Sequence, residues 1–87
     1  MRKERGLLFM PDWMLILTKV EEANSVIDVA TLCQITYSHV HKVIGELHRR
    51  DFITLNKVGR TNIINLTAKG KKCVEAIEYL FSVQVNV

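Results

Sequence analysis

Few side chains in this sequence can do covalent or metal chemistry, and their spacing decides what they can do. The 87 residues include three histidines and two cysteines. His39 and His41 are two positions apart, so on a helix they point about 200° from one another and cannot chelate one ion as a pair. Cys33 and Cys73 lie 40 residues apart with no CxxC spacing, which argues against a zinc knuckle and against a secreted disulfide framework. Cys33 has no histidine at a catalytic spacing, no glycine loop is built to cradle phosphate, and the carboxylates are scattered singly. The expectation is a protein that is not an enzyme, with no metal site and no cofactor.

Positive charge, by contrast, is concentrated. The formal net charge is +3, yet residues 1–35 sum to −1, residues 36–72 to +6 and the remainder to −2. The central segment holds Lys42, Arg49, Arg50, Lys57, Arg60, Lys69, Lys71 and Lys72 against only Glu46 and Asp51. Such a segment in a small domain is the footprint of a polyanion partner. Hydrophobic residues at 48 % and charged residues at 24 % give the balance of a folded globular chain rather than a disordered tail. The longest apolar run, Trp13 to Leu17, is far below the roughly 18 residues of a membrane span. The start, MRKERGLLFMPDW, lacks a full signal-peptide stretch and a small-residue cleavage site, so a cytoplasmic location and no membrane partner are expected.

Hydrophobic periodicity supplies the frame for these residues. Pro11 suits a helix start because it has no amide hydrogen to leave unpaired, and Asp12 follows where the helix dipole favours negative charge. Trp13, Ile16, Leu17 and Val20 then recur at spacings of three and four, predicting one buried face through about Glu22. Ser25 to Ile27 reads as a short strand, and Asp28 as the cap of a second helix reaching Gln34, with Val29, Ala30, Leu32 and Cys33 inside. Thr36 or Tyr37 opens a third helix that runs to Arg50. Its apolar residues Val40, Val43, Ile44 and Leu47 fall within about 100° of arc, with Ser38, Lys42, Gly45 and Arg49 at the opposite pole. Phe52–Asn56 and Asn62–Leu66 read as a hairpin around Lys57-Val58-Gly59-Arg60-Thr61, with Ile53 and Leu55 on one face of the first strand and Ile64 and Leu66 on one face of the second. Thr67 caps a final helix over about 67–84, in which Gly70 weakens the first turn. With no repeat or linker, residues 1–87 read as one α+β domain.

Two short helices joined by a tight turn, the second exposing polar residues at its start, make a helix-turn-helix, and a basic hairpin directly after it makes a winged helix. The run DVATLCQITYSHVHKVIGELHRRDFITLNKVGRTNIINLTAKGKK resembles the DNA-binding core of the multiple-antibiotic-resistance (MarR) type and related archaeal and viral winged-helix transcriptional regulators. Ala30 sits where that family packs a small residue between the helices, Val40 and Val43 match the positions that seat the recognition helix, and RRDFI matches the exit into the wing. Leu66-Thr67-Ala68-Lys69-Gly70 resembles the family's Leu-Thr-x-x-Gly entry into the next helix. Gln34 departs from the glycine common in the turn.

The resemblance implies that Tyr37, Ser38, His39, His41 and Lys42 approach base edges and flanking phosphates of double-stranded DNA. Ser and His can exchange hydrogen bonds with bases, Tyr can reach a phosphate or a thymine methyl, and Lys neutralises backbone charge. Arg49 belongs to the same stripe, although near a helix end it can simply complement the dipole. Gly45 either permits close backbone approach or is merely tolerated. In the wing, Lys57, Arg60 and Thr61 flank Gly59, and Arg60 is suited to a narrow, electronegative minor groove.

The last helix bears on assembly. Cys73, Ala76, Ile77, Leu80, Phe81 and Gln84 share one side, which Val74 and Val83 broaden to a wider apolar arc than one small domain needs, and with Met14, Leu15 and the segment from Leu7 to Met10 they are expected to form a homodimer seam. Cys33 and Cys73 are expected to be core thiols, with an intersubunit Cys73 disulfide as the alternative. The function expected is a sequence-specific regulator, a homodimeric repressor on a pseudo-palindromic site, with no small-molecule ligand evident. The alternative is a winged-helix protein-interaction module without base readout. RNA binding is disfavoured because no aromatic-rich strand offers a stacking platform.

Overall fold

A computed structural model describes the backbone of residues 10–85 and the side chains of residues 10–83. The order is α1 (Asp12–Lys19), α2 (Val26–Cys33), α3 (Tyr37–Arg49), β1 (Ile53–Val58), β2 (Thr61–Leu66) and α4 (Ala68–Val85). The α+β winged-helix class is therefore what the chain adopts. Ile16, Leu17 and Val20 of the first helical segment, Val29 and Ala30 of α2, and Val40, Ile44 and Leu47 of α3 meet in one core, which Ile53, Ile64, Val74 and Ile77 complete. Val43 is only half-buried.

The strand expected at Ser25 to Ile27 does not form. Ser25 is instead the N-cap of α2, its Oγ accepting from the Asp28 amide at 3.3 Å, so the helix begins a turn earlier than Asp28. A capping hydroxyl that satisfies an orphan amide outweighs the weak strand preference of two β-branched residues. What remains of the pairing is one bond, from the Ile64 amide to the Asn24 carbonyl at 2.8 Å, which fastens the hairpin to the loop before α2.

Both helices of the helix-turn-helix end in the same device. At the end of α2 the Ile35 amide donates to Ala30 and the Gln34 amide to Thr31, with Gln34 at φ 59°. After α3 the Phe52 amide donates to Leu47 and the Asp51 amide to His48, with Asp51 at φ 68°. These are Schellman closures with non-glycine residues in the left-handed region. Between them, Thr36 caps α3 by accepting from the His39 amide at 3.3 Å.

The strands pair antiparallel from Ile53 opposite Leu66 to Val58 opposite Thr61, leaving Gly59 and Arg60 as the turn. Each strand thus reaches further into the expected five-residue loop, because Gly59 at φ 63° lets a two-residue turn match the strand twist. Lys57 and Thr61 consequently stand on strands. Thr67 knots three elements together. Its hydroxyl donates to Asp51 O at 2.6 Å and accepts from the Gly70 amide at 3.0 Å, and its amide donates to Phe52 O at 3.0 Å. Gly70 is required there, because a side chain would run into the Phe52 carbonyl. Helix propensity marked this glycine as a weak point of α4, while the Leu-Thr-x-x-Gly resemblance marked its place without giving the reason.

Candidate nucleic-acid interface

Seated by Val40, Ile44 and Leu47 in the core, with Val43 half-buried beside them, α3 turns its opposite face outward. Ser38, His41 and Lys42 are exposed, and Tyr37 packs its ring on that of His41 at 5.9 Å. A Cβ added at Gly45 would meet nothing within 4 Å, so the stripe is bare there without any neighbour demanding it. Across from α3, Lys57, Arg60 and Thr61 are exposed on the hairpin. Tyr37, Arg60 and Thr61 border one crevice of 580 Å3, whose floor is the loop and first turn of α2. The start of α3 and the tip of the wing therefore address the same space. Asn62, on the same wall, was not among the expected residues, since an amide in a strand carries no charge signal.

Two expected residues are otherwise engaged. His39 Nε2 lies 3.0 Å from Asp12 Oδ2, so its ring turns toward α1. Arg49 donates to Glu46 Oε2 at 2.6 Å, and Arg50 lies 3.7 Å from the other oxygen. The hydrogen bond from Arg49, then its charge, holds the Glu46 carboxyl below the usual carboxylate range. Spacing could have suggested the Arg49 pair, which is three residues from Glu46. The His39 pair, 27 residues apart, gives no local signal. Lys69 of the basic segment is also occupied, donating to Arg50 O at 2.9 Å and lying 4.8 Å over the Phe52 ring.

Both cysteines are half-buried thiols packed against the core. Burial is the main cause that pushes the Cys33 thiol up from its ordinary pKa. Among the described residues no three His, Cys, Asp or Glu side chains are grouped to hold a metal, and no helix is long and apolar enough to cross a membrane.

The residues expected to form a seam separate into two sets. Ile77 is 5 % exposed and belongs to the domain's own core, as does Val74, while Cys73 and Phe81 pack partly against that core. Leu80 is 46 % exposed on the flank of that stripe, about 60° round the helix from Ile77, and the exposed Val83 and Tyr79 follow further round. The side chain of Gln84 and the segment from Leu7 to Phe9 lie outside the described residues.

Several solved structures share this architecture. AF1382 from Archaeoglobus fulgidus superposes with a TM-score of 0.79 at 24 % identity, over 94 % of this chain and 97 % of that one. MepR, a transcription regulator of the Staphylococcus aureus multidrug efflux pump MepA, gives 0.78 at 22 % identity over 94 % of this chain and 64 % of its own. Streptococcus pneumoniae FabT, solved in complex with DNA, gives 0.78 at 18 % identity over 94 % and 63 %. This chain thus spans less than two thirds of the latter two. At these identities the likeness is one of fold, and it is the fold that the MarR-type resemblance implied. No curated protein matches the sequence. Residues 17–78 match the model of the DUF6293 C-terminal winged helix domain, which takes in everything from the core residue Leu17 through the wing to the buried part of α4, and the chain belongs to that family.

Proposed function

We propose that this chain is a double-stranded DNA-binding transcriptional regulator that acts as a homodimeric repressor, with α3 in the major groove and the wing on the backbone or minor groove. The observation that carries the reading is the crevice shared by the start of α3 and the wing tip, bordered by Tyr37 on one side and Arg60 and Thr61 on the other. Two structural relatives add support, one described as a transcription regulator and one bound to DNA. Ser38 and His41 are assigned to base edges, and Lys42, Lys57 and Arg60 to phosphates and the minor groove, with Tyr37 and Thr61 flanking them. His39 and Arg49 are assigned lesser roles, because Asp12 and Glu46 already hold them.

For the dimer, the seam is assigned to Tyr79, Leu80 and Val83, while Phe81 lies toward the domain's own core. Their exposed apolar surface on one helix is self-complementary under a two-fold axis, which sets two recognition helices on one face of a duplex. A gel shift with the DNA upstream of the chain's own gene, run at two salt concentrations, tests the reading. Retardation that fades as salt rises is expected, and no retardation at either salt would overturn it.

A further inference from the structure

Asn62 borders the crevice between the wing and the start of α3, and the regulator reading leaves it without a task. The strand pairing sets its direction. Leu55 pairs with Ile64 and Lys57 with Asn62, and side chains two apart along a strand share a face. The face that is buried at the base of the hairpin through Ile53 and Ile64 therefore continues toward the tip as Lys57 beside Asn62, both exposed. Two residues from Asn62, the Ile64 amide donates to the Asn24 carbonyl at 2.8 Å, so this part of β2 is fastened to the loop before α2. Among the described residues the Asn62 carboxamide makes no hydrogen bond.

From Lys57 to Leu66 the wing carries Lys57 and Arg60 and no acid. Lysine and arginine side chains only donate. In the minor groove an A·T pair offers only acceptors, adenine N3 and thymine O2, whereas a G·C pair adds the 2-amino donor of guanine. Lys57 supplies the charge for a phosphate at this point of the hairpin, so the neutral amide beside it is not needed for that purpose. We infer that Asn62 is a specificity-determining residue of the wing, whose side-chain NH2 donates to the minor-groove edge of an A·T pair and rejects the guanine amino group there. Lys57 on the paired strand and Arg60 two residues earlier draw the carboxamide oxygen toward themselves, which turns the NH2 to the groove. Arg60 ends a long side chain on the turn and favours any narrow groove. The short Asn62, on a fastened strand, holds its donor in one place, as discrimination between bases requires. This inference rests on the regulator reading and adds a substrate class to it: duplexes with an A·T pair beneath the wing.

The test uses the full chain and the tightest duplex recovered from a random-sequence pool, with binding followed by anisotropy. Each A·T pair of that duplex is replaced in turn by G·C and by I·C. Inosine lacks the 2-amino group, so I·C keeps the major-groove pattern of G·C and the minor-groove acceptors of A·T. At one such pair, G·C is expected to weaken binding about tenfold, and I·C to bind within about twofold of A·T. Asn62→Ala, at an exposed position, is expected to reduce the G·C penalty at that pair to about twofold. Asn65→Ala, on the other face of β2, is expected to leave the penalty in place, and circular dichroism checks that both variants fold. The proposal is overturned by the absence of any pair at which G·C is penalised and I·C is not, or by a penalty lost equally in Asn65→Ala. It is also overturned if Asn62→Ala weakens all three duplexes in the same proportion, the mark of a phosphate contact. Failure to recover any bound duplex from the pool overturns the regulator reading itself, and the inference with it.

Discussion

Gly70 and Gly45 are both helical glycines, and helix propensity alone treats them alike: alanine at either should gain roughly 0.5 to 1 kcal/mol. Their surroundings separate them. At Gly70 the added methyl meets the Phe52 carbonyl, whereas at Gly45 it meets nothing within 4 Å. Gly70→Ala should therefore lose about 2 kcal/mol, a steric cost that exceeds the propensity gain, while Gly45→Ala should gain the propensity in full. Urea melts of the two variants check this, and a stabilised Gly70→Ala would contradict the close approach. Glu46 offers a second test. Its folded pKa is depressed by Arg49 and then Arg50, so its contribution to stability is present above the ordinary carboxylate pKa and is lost as pH falls through the lower folded value. At a fully exposed pair the effect on stability is slight. In an NMR titration the Glu46 carboxyl should titrate below free glutamate, and Arg49→Ala should move its midpoint upward. An unmoved midpoint would dissolve the pair, and with it the reason for setting Arg49 apart from the DNA contacts.

At the scale of elements, every helix and both strands were legible, because each carries its periodicity in contiguous residues: Val40, Ile44 and Leu47 for α3, Ile53 and Leu55 against Ile64 and Leu66 for the hairpin. Pieces fixed by distant atoms were not. The start of α2 was misread for a local reason instead: Val26 and Ile27 look like a strand, and the Ser25 hydroxyl that caps the helix bonds the Asp28 amide only three residues on. The value of Gly70 depends on Phe52 across the α3–β1 corner, and the orientation of His39 depends on Asp12. The basic stripe itself was legible as charge, but which of its cations are already paired was not. Gln34 stood out in sequence as a non-glycine turn, and it closes α2 from the left-handed region at φ 59° and ψ 43°. Holding a side chain there costs roughly 1 kcal/mol, partly offset by glycine's greater freedom when unfolded. Gln34→Gly should then raise stability by about 0.5 kcal/mol without altering the fold, measured as a higher denaturation midpoint at unchanged m-value. A lower midpoint would mean that the Gln34 side chain contributes more than its backbone strain costs.

For the whole molecule, the proposed function would link assembly and DNA binding through α4. Its 18 residues give one stripe to the core and leave Tyr79, Leu80 and Val83 outside. Leu80→Asp should leave the domain folded and make it monomeric in sedimentation, because a charge in an apolar seam is costly while the core stripe of Val74 and Ile77 is untouched. DNA binding should weaken with it, since the avidity of a second half-site is lost. An intact chain that sediments as a monomer of 10.0 kDa at micromolar concentration would remove the dimer while leaving the DNA surface to be judged separately. That surface is the central claim, and the salt dependence of duplex binding tests it most directly. Anisotropy of a labelled specific duplex, followed from about 50 to 200 mM salt, should give a linear log-log plot with a slope near −0.9 for each phosphate neutralised. Lys42→Ala and Arg60→Ala should each make that slope shallower by about 1, whereas Arg49→Ala, whose charge Glu46 already meets, should leave it nearly unchanged. No binding at the lowest salt, or a slope that neither Lys42→Ala nor Arg60→Ala alters, would contradict the assignment of α3 and the wing to DNA.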